Sequence, residues 1–269
     1  MELILYEENW LNIPLQGVTE GSGEKVADAS FYNSFYKTFI EKDAKLEQGW
    51  VEYKMAVSDW IEKTILAQAQ HAVKSPLKIL SLGVGTGLIE KEWISKGYDV
   101  HLQECQETSL EIIKNCYPEI KTYICDARSI PSADSTYHVV VFVTLDYVFD
   151  RKGYTELLQE IKRLLCPGGT TVCYCVSNMT YKTILSSIKR KIFLKKSGGI
   201  PWGYARTVRE HIRLGTCVGL IPQKIYLLER EIKSDKGSLI LKSMRKPGGF
   251  WKRPSNVSDI VVEFSKPAM

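Results

Sequence analysis

The stretch Ile79-Leu80-Ser81-Leu82-Gly83-Val84-Gly85-Thr86-Gly87 runs an apolar strand straight into a loop with glycine at every second position. A backbone that turns sharply and comes within contact of a ligand leaves no room for Cβ, and glycine meets that demand. The dinucleotide fingerprint needs a glycine or another small residue at the last position of Gly-x-Gly-x-x-Gly. Here that position is Leu88, which weakens a nicotinamide or flavin reading. A ligand without a pyrophosphate fits better.

Downstream of Pro76, short apolar runs alternate with longer helical segments, the pattern of strands joined by crossover helices. Strands are expected at Lys78 to Leu82, Asp99 to Gln103, Lys121 to Cys125, His138 to Thr144 and Gly169 to Val176, with helices at Leu88 to Lys96, Glu107 to Asn115 and Tyr154 to Leu165. Leu165-Cys166-Pro167-Gly168-Gly169 reads as a tight break before the fifth strand. Thr207-Val208-Arg209-Glu210 has the form of a capping box opening a helix to about Leu214. Strands at Gln223 to Glu229 and Asp259 to Phe264 would follow, on either side of a basic stretch bearing Gly and Pro. The expectation is an α/β fold, a doubly wound, Rossmann-like, seven-stranded and mostly parallel sheet.

Ahead of the sheet, residues 1 to about 26 lack a period and read as a loose arm. Phe31, Tyr32, Phe35, Tyr36 and Phe39 then recur at the spacing of one helical face. A second helix carries an apolar stripe of Trp50, Tyr53, Val57, Trp60, Ile61, Ile65 and Leu66, of which Trp50, Tyr53 and Trp60 are assigned to the core, and stops before Ser75-Pro76. Residues 1–75 are thus expected to form an arm and a helical cover. Residues 76–269 would form the core, with a basic insertion at about 178–257.

At 269 residues, 44% hydrophobic and 25% charged, the chain has the composition of a packed globular protein of one large domain. The first residues lack the basic start and long apolar run of a signal peptide, and no stretch approaches a membrane span, so a cytoplasmic location is expected. The seven cysteines include no Cys-x-x-Cys pair, which argues against a zinc site or a disulfide framework; no metal is expected. The net charge of +5 hides an asymmetry: Val176 to Asn256 holds about 18 basic residues against about 4 acidic ones. Such a face suits a phosphorylated substrate, nucleic acid or anionic lipid, and equally a plain solvated surface.

Glu104 ends the second predicted strand, where an acidic side chain in this architecture can accept from a ribose hydroxyl pair. Asp126 ends the third and can accept from an adenine amino group. Taken singly, Glu104 also fits a solvated strand end and Asp126 a helix N-cap. Their order behind the glycine loop is the informative part.

From Leu77 to Ser177 the sequence resembles the class I S-adenosylmethionine-dependent methyltransferases: the Leu-Gly-x-Gly-x-Gly loop, Glu104, the Asp126-Ala127 turn, the strand from His138 to Thr144, and Leu-x-Pro-Gly-Gly at 165–169. The resemblance implies S-adenosylmethionine as cofactor. It implies Gly83, Gly85 and Gly87 near the amino-acid part, Glu104 at the ribose, and Asp126 with Ala127 at the adenine. His138 stands where many members carry Asp, and no Asn/Asp-Pro-Pro-Tyr motif follows the fourth strand, which disfavours enzymes that methylate amino groups of nucleic-acid bases. The aromatic face Phe31 to Tyr36 is similar to the Tyr-x-x-x-Tyr helix that covers the cofactor in many small-molecule members, giving Tyr36 a cofactor contact and Tyr32 a place at the reaction centre.

Ligands in open α/β sheets bind beyond the carboxyl ends of the strands, so Thr144, Asp146 and Tyr147 should face the methyl donor. Asp146 is a candidate to orient an amine or take a proton, and Tyr147 to hold the acceptor; Asp146 also suits an N-cap of a short turn. Tyr204 and Arg206 are candidates for acceptor binding, Arg206 through an anionic group. The basic amphipathic segment 178–196 reads as a lid over the acceptor, or as a helix lying on anionic membrane. The expected activity is methyl transfer to nitrogen, less readily oxygen, of a small molecule. The alternatives are an RNA or lipid-headgroup methyltransferase and a non-catalytic cofactor-binding protein.

Overall fold

The computed structural model describes residues 3–10, 13–15, 29–41, 48–73, 75–175, 185, 188–189, 200–232, 239–243 and 259–268. The lid segment 178–196 and the glycine pair 198–199 lie almost wholly outside these residues. No helix among them is long and apolar enough to cross a membrane.

Three short strands open the chain: β1 (Leu3–Glu7), β2 (Asn9–Trp10) and β3 (Ile13–Pro14). Two helices follow, α1 (Ala29–Glu41) and α2 (Gln48–Ile61), the latter running through a π-helical turn (Glu62–Leu66) into α3 (Ala67–Ala72). The alternating region forms β4 (Lys78–Leu82), α4 (Leu88–Ser95), β5 (Asp99–Glu104), α5 (Glu107–Lys114), β6 (Thr122–Ile124) and β7 (Tyr137–Val143). A 3-10 turn (Asp146–Val148) leads to α6 (Arg151–Leu164) and β8 (Leu165–Cys175). The last third supplies β9 (Ile200–Ala205), α7 (Val208–Cys217), β10 (Ile221–Ile232), β11 (Leu239–Ser243) and β12 (Asp259–Ser265).

The main sheet has the order β11-β10-β12-β8-β7-β4-β5-β6. Strands β8, β7, β4, β5 and β6 are parallel, and β12, β10 and β11 extend the sheet by antiparallel ladders. Eight strands among the described residues correct the expected seven; the addition is β11, marked in a basic stretch only by the short apolar run Leu239-Ile240-Leu241. The tight break expected at 165–169 is instead a bulge absorbed into β8. Register slips there from Tyr137 opposite Leu165 to Val139 opposite Thr170, with Gly168 in the left-handed region.

Successive side chains of a strand point to opposite faces, and both faces of this sheet are covered. Ile79, Val139 and Val141 pack with Val57, Trp60, Trp93 and Leu110 from α2, α4 and α5. Leu80, Val140 and Phe142 pack with Tyr154, Leu157, Ile161 and Leu214 from α6 and α7. His138, out of pattern for the family, accepts from the Lys78 backbone N–H at 3.0 Å through Nδ1 and ties the starts of β7 and β4 together.

A third apolar cluster lies apart from the sheet, built from Ile13, Leu15, Phe31, Tyr32, Phe35, Tyr36, Tyr147, Ile200 and Trp202. The loose arm expected at the N-terminus is therefore corrected: β1 pairs antiparallel with β9, Leu3 opposite Ala205 and Glu7 opposite Ile200. That long-range ladder fixes residues whose sequence shows no period.

Candidate functional site: a cavity at the carboxyl ends of the parallel strands

A cavity of about 750 Å³ opens beyond the carboxyl ends of β4, β5, β6 and β7, within the size range of small-molecule sites. On its first wall stands the glycine loop. Gly83 and Gly85 have φ of 61° and 57°, a left-handed conformation that side-chain-bearing residues resist, and both line the cavity. Gly87 shares the conformation but faces Ile113, whose side chain an added Cβ would strike, so it serves the entry to α4 rather than the cavity wall.

Glu104 sits at the end of β5, 7% exposed, and accepts from the Gly85 amide at 3.0 Å and the Cys105 amide at 2.8 Å. Burial raises its carboxyl above the usual range, and those two amides pull it back. Asp126 also lines the cavity, beside the buried Ala127. Its carboxylate is held by Arg128, the guanidinium approaching to 2.6 Å and the backbone amide to 2.8 Å, and the arginine keeps it below the ordinary carboxylate range. No helix starts at Asp126, so the capping alternative does not apply.

At the end of β7, Thr144 lines the cavity with φ of 62°. A threonine in that region is a genuine backbone outlier of the kind that gathers at binding sites. Tyr147, on the following turn, reaches the cavity and meets Tyr32 of α1 hydroxyl to hydroxyl at 3.0 Å. Burial raises both phenols, so each is neutral at physiological pH. Trp202 stacks on Tyr147 at 5.8 Å, and Gly203 permits the approach, because a Cβ there would lie 2.7 Å from the Tyr147 carbonyl oxygen. Tyr36 and Tyr204 complete this side.

Besides Gly87, two expected residues lie elsewhere. Asp146 has no exposure, and among the described residues neither carboxylate oxygen has a hydrogen-bond partner. The left-handed Thr144 and the 3-10 turn break the alternation of β7, sending Tyr147 to the cavity and Asp146 beneath it. The capping expected of Asp146 belongs to Asp150, which accepts from the Gly153 amide at 2.7 Å. Arg206 is 2% exposed and donates to the carbonyls of Asp146 and Phe149, with its guanidinium carbon 4.7 Å from the Tyr154 ring centre. It braces the turn that carries Tyr147 and is not on the cavity wall.

Other wall residues carried no functional expectation. Trp50, assigned to the core, lines the cavity with Lys54, one turn further along α2. Trp10 from the arm and Arg128 do so as well. A cation four residues after an aromatic on one helical face was the available signal for the first pair.

If Glu104 accepts from the ribose, as the sequence resemblance implies, Glu104→Ala should weaken S-adenosylhomocysteine binding about tenfold to a hundredfold, as expected for charge-assisted hydrogen bonds. Isothermal titration measures it; affinity within twofold of the parent would remove Glu104 from the site.

A sequence profile described as a methyltransferase domain matches residues 79–169. The biotin biosynthesis bifunctional protein BioHC of Cellvibrio japonicus is 25% identical over 99 residues, 34% of this chain and 18% of that protein, so the chain spans about a fifth of that relative. Among solved structures, a possible histamine N-methyltransferase from Thermotoga maritima is 16% identical, with a TM-score of 0.54 over 87% of this chain and 99% of that one. The 1,6-didemethyltoxoflavin-N1-methyltransferase of Burkholderia thailandensis, with its substrate and S-adenosylhomocysteine bound, is 13% identical, with a TM-score of 0.53 over 90% and 92%. An S-adenosylmethionine-dependent methyltransferase from Methanosarcina mazei is 18% identical, with a TM-score of 0.53 over 74% and 97%. Glycine loop, strand order and matched domain agree: residues 79–169 carry a methyltransferase domain, and the fold around it is that of the S-adenosylmethionine-dependent methyltransferases.

Proposed function

We propose that the enzyme methylates a nitrogen of a small, flat, ring-bearing acceptor. The observation carrying this is the acceptor end of the cavity: it is walled by Trp10, Tyr32, Tyr147 and Tyr204, its phenols are neutral, and among the described residues it offers no carboxylate or imidazole free to act as a base. Among the described wall residues the carboxylates are engaged, Glu104 by two amides, Asp126 by Arg128 and Asp150 by its cap. An amine that arrives neutral needs no proton removed before attack, whereas a hydroxyl gains much from a base. The aromatic enclosure suits a small ring system better than an RNA strand. Relatives of similar fold include a possible histamine N-methyltransferase and an N1-methyltransferase of a didemethyltoxoflavin.

The loop at Gly83 and Gly85 would hold the amino-acid part of S-adenosylmethionine, Glu104 its ribose, and Asp126 with Ala127 its adenine. At Gly85 a Cβ would lie 2.7 Å from the Tyr36 hydroxyl, so glycine lets that tyrosine close over the loop, and the adjoining cavity of about 750 Å³ has the volume for such a ligand. When bound, the cofactor supplies an electrophilic methyl group on a positively charged sulfur. Tyr147 and Tyr32 hold the acceptor: in their mutual hydrogen bond one phenol donates, leaving oxygen lone pairs to accept from an N–H of the acceptor so that the nitrogen's own lone pair stays free to face the methyl group. Thr144, fixed in its left-handed conformation, closes the wall nearby. Catalysis then rests chiefly on orientation, which a displacement of this kind rewards most.

Matched pairs of heteroaromatic amines and phenols, incubated with labelled methyl donor, test the reading. Label should enter the amines, and faster turnover of the hydroxyl partner at neutral pH would overturn it. Tyr147→Phe should lower kcat about tenfold or more while S-adenosylhomocysteine affinity stays within twofold. An unchanged kcat would return Tyr147 to a packing role.

A further inference from the structure

We propose that Lys54 is the counter-ion for the α-carboxylate of the methyl donor. The proposal rests on the donor site described above.

Lys54 lies on α2 and lines the cavity, its ammonium 5.2 Å from the centre of the Trp50 ring. One turn further along α2, Ser58 Oγ donates to the carbonyl of Ile89 at 3.0 Å, and Trp93 Nε1 donates to the carbonyl of Ser58 at 3.3 Å. Both contacts fasten α2 to α4, the helix that starts from the glycine loop. Lys54 is therefore held at the glycine-loop end of the cavity, and the phenol pair marks the acceptor end. The donor's amino-acid portion belongs at the loop, and its carboxylate is the anion available there.

Charge complementarity points the same way. Among the described residues Lys54 forms no ion pair. The acidic groups facing it are Glu90 of α4 and Asp259 of β12. Glu90 accepts from Ser81 Oγ at 2.6 Å through one oxygen, its other oxygen being buried without a hydrogen-bond partner among the described residues, Asp259 faces Arg230 at 3.4 Å, and neither carboxylate forms a close ion pair with Lys54. Burial outweighs both and brings the Lys54 ammonium down to about 8. A cation desolvated on a ligand-facing wall, without a close anion, gains most from an anionic ligand.

Titration calorimetry with S-adenosylhomocysteine and its decarboxylated analogue, on the parent, Lys54→Met and Lys54→Arg, tests this. The parent should bind the decarboxylated compound at least tenfold more weakly. Lys54→Met should lose at least tenfold for S-adenosylhomocysteine and discriminate between the two by less than threefold, with Lys54→Arg retaining most of both. Parent affinity should fall as pH rises above about 8, where Lys54 gives up its proton, and stay level in Lys54→Arg. Full discrimination by Lys54→Met, or a loss confined to the acceptor's KM, overturns the proposal. A parent that binds neither compound overturns the donor site itself, a separate outcome.

Discussion

Replacing Gly85 by valine should abolish measurable S-adenosylhomocysteine binding while leaving a folded protein. Gly85 has φ of 57°, where a β-branched residue is strained by about 1–2 kcal/mol. Its Cβ would lie 2.7 Å from the hydroxyl of Tyr36, a ring packed at 5.6 Å against Phe35 and at 6.1 Å against Trp10. Either the phenol is driven into its neighbours or the loop moves, and a moving loop breaks the 3.0 Å bond from the Gly85 amide to Glu104. Both responses damage the ligand wall. The sheet core beneath, with Leu80, Leu82 and Phe142, does not contain the loop, so the circular dichroism spectrum should match the parent's. Titration heats like the parent's would show that the loop does not approach the ligand.

The parallel half of the sheet was legible because buried strands announce themselves as short apolar runs between turn signals. Lys78–Leu82 has the predicted bounds, and Asp99–Glu104 and Tyr137–Val143 differ by one residue. The positions of Glu104 and Asp126 on the cavity wall were readable for a related reason: one ends its strand and the other lies just past its own, and the fold turns both strand ends toward the cavity. Thr207 caps α7 as its motif foretold, accepting from the Glu210 amide at 3.1 Å, but Glu210 turns to Arg151 instead of completing the box. Harder to read were pairings between distant segments. β1 has five half-buried residues and no alternation, and only its ladder with β9 fixes it. Asp146 failed for a local reason, since one left-handed threonine reverses which side of the chain faces the cavity, and Arg206 because its guanidinium is taken up by the carbonyls of that same turn. Trp50 and Lys54 needed tertiary information, because a helical face does not say which neighbour it meets.

The buried cluster beneath Tyr147 should reveal itself in the pH dependence of stability. Asp146 Oδ2 lies 3.7 Å from His211 Nε2, and His211 Nδ1 is 3.0 Å from the Tyr154 hydroxyl. Burial raises the Asp146 carboxyl to about 7 against the opposing pull of Arg206. Burial, with Arg206 nearby, lowers His211 to about 3. Between those values the folded protein holds a protonated carboxyl and a neutral imidazole, so their contact is not an ion pair. Between about pH 4 and 7 the unfolded chain has released the Asp146 proton and the folded chain keeps it, so this residue's contribution to stability falls as pH rises. For His211 the unfolded chain binds the extra proton between about pH 3 and 6.5, so its contribution rises over nearly the same window. Each amounts to a few kcal/mol, on the order of 4 at about 1.4 kcal/mol per pH unit, and in the parent the two slopes oppose one another. Single substitutions should separate them. Relative to the parent, Asp146→Asn should gain stability steadily from pH 4 to 7, whereas His211→Gln should hold its greatest advantage near pH 3 and lose it by about 6.5. Denaturant unfolding at a series of pH values reads the slopes directly, whatever constant offset each substitution brings. Parallel curves for the parent and both variants would mean that neither group has the shifted proton affinity its burial implies.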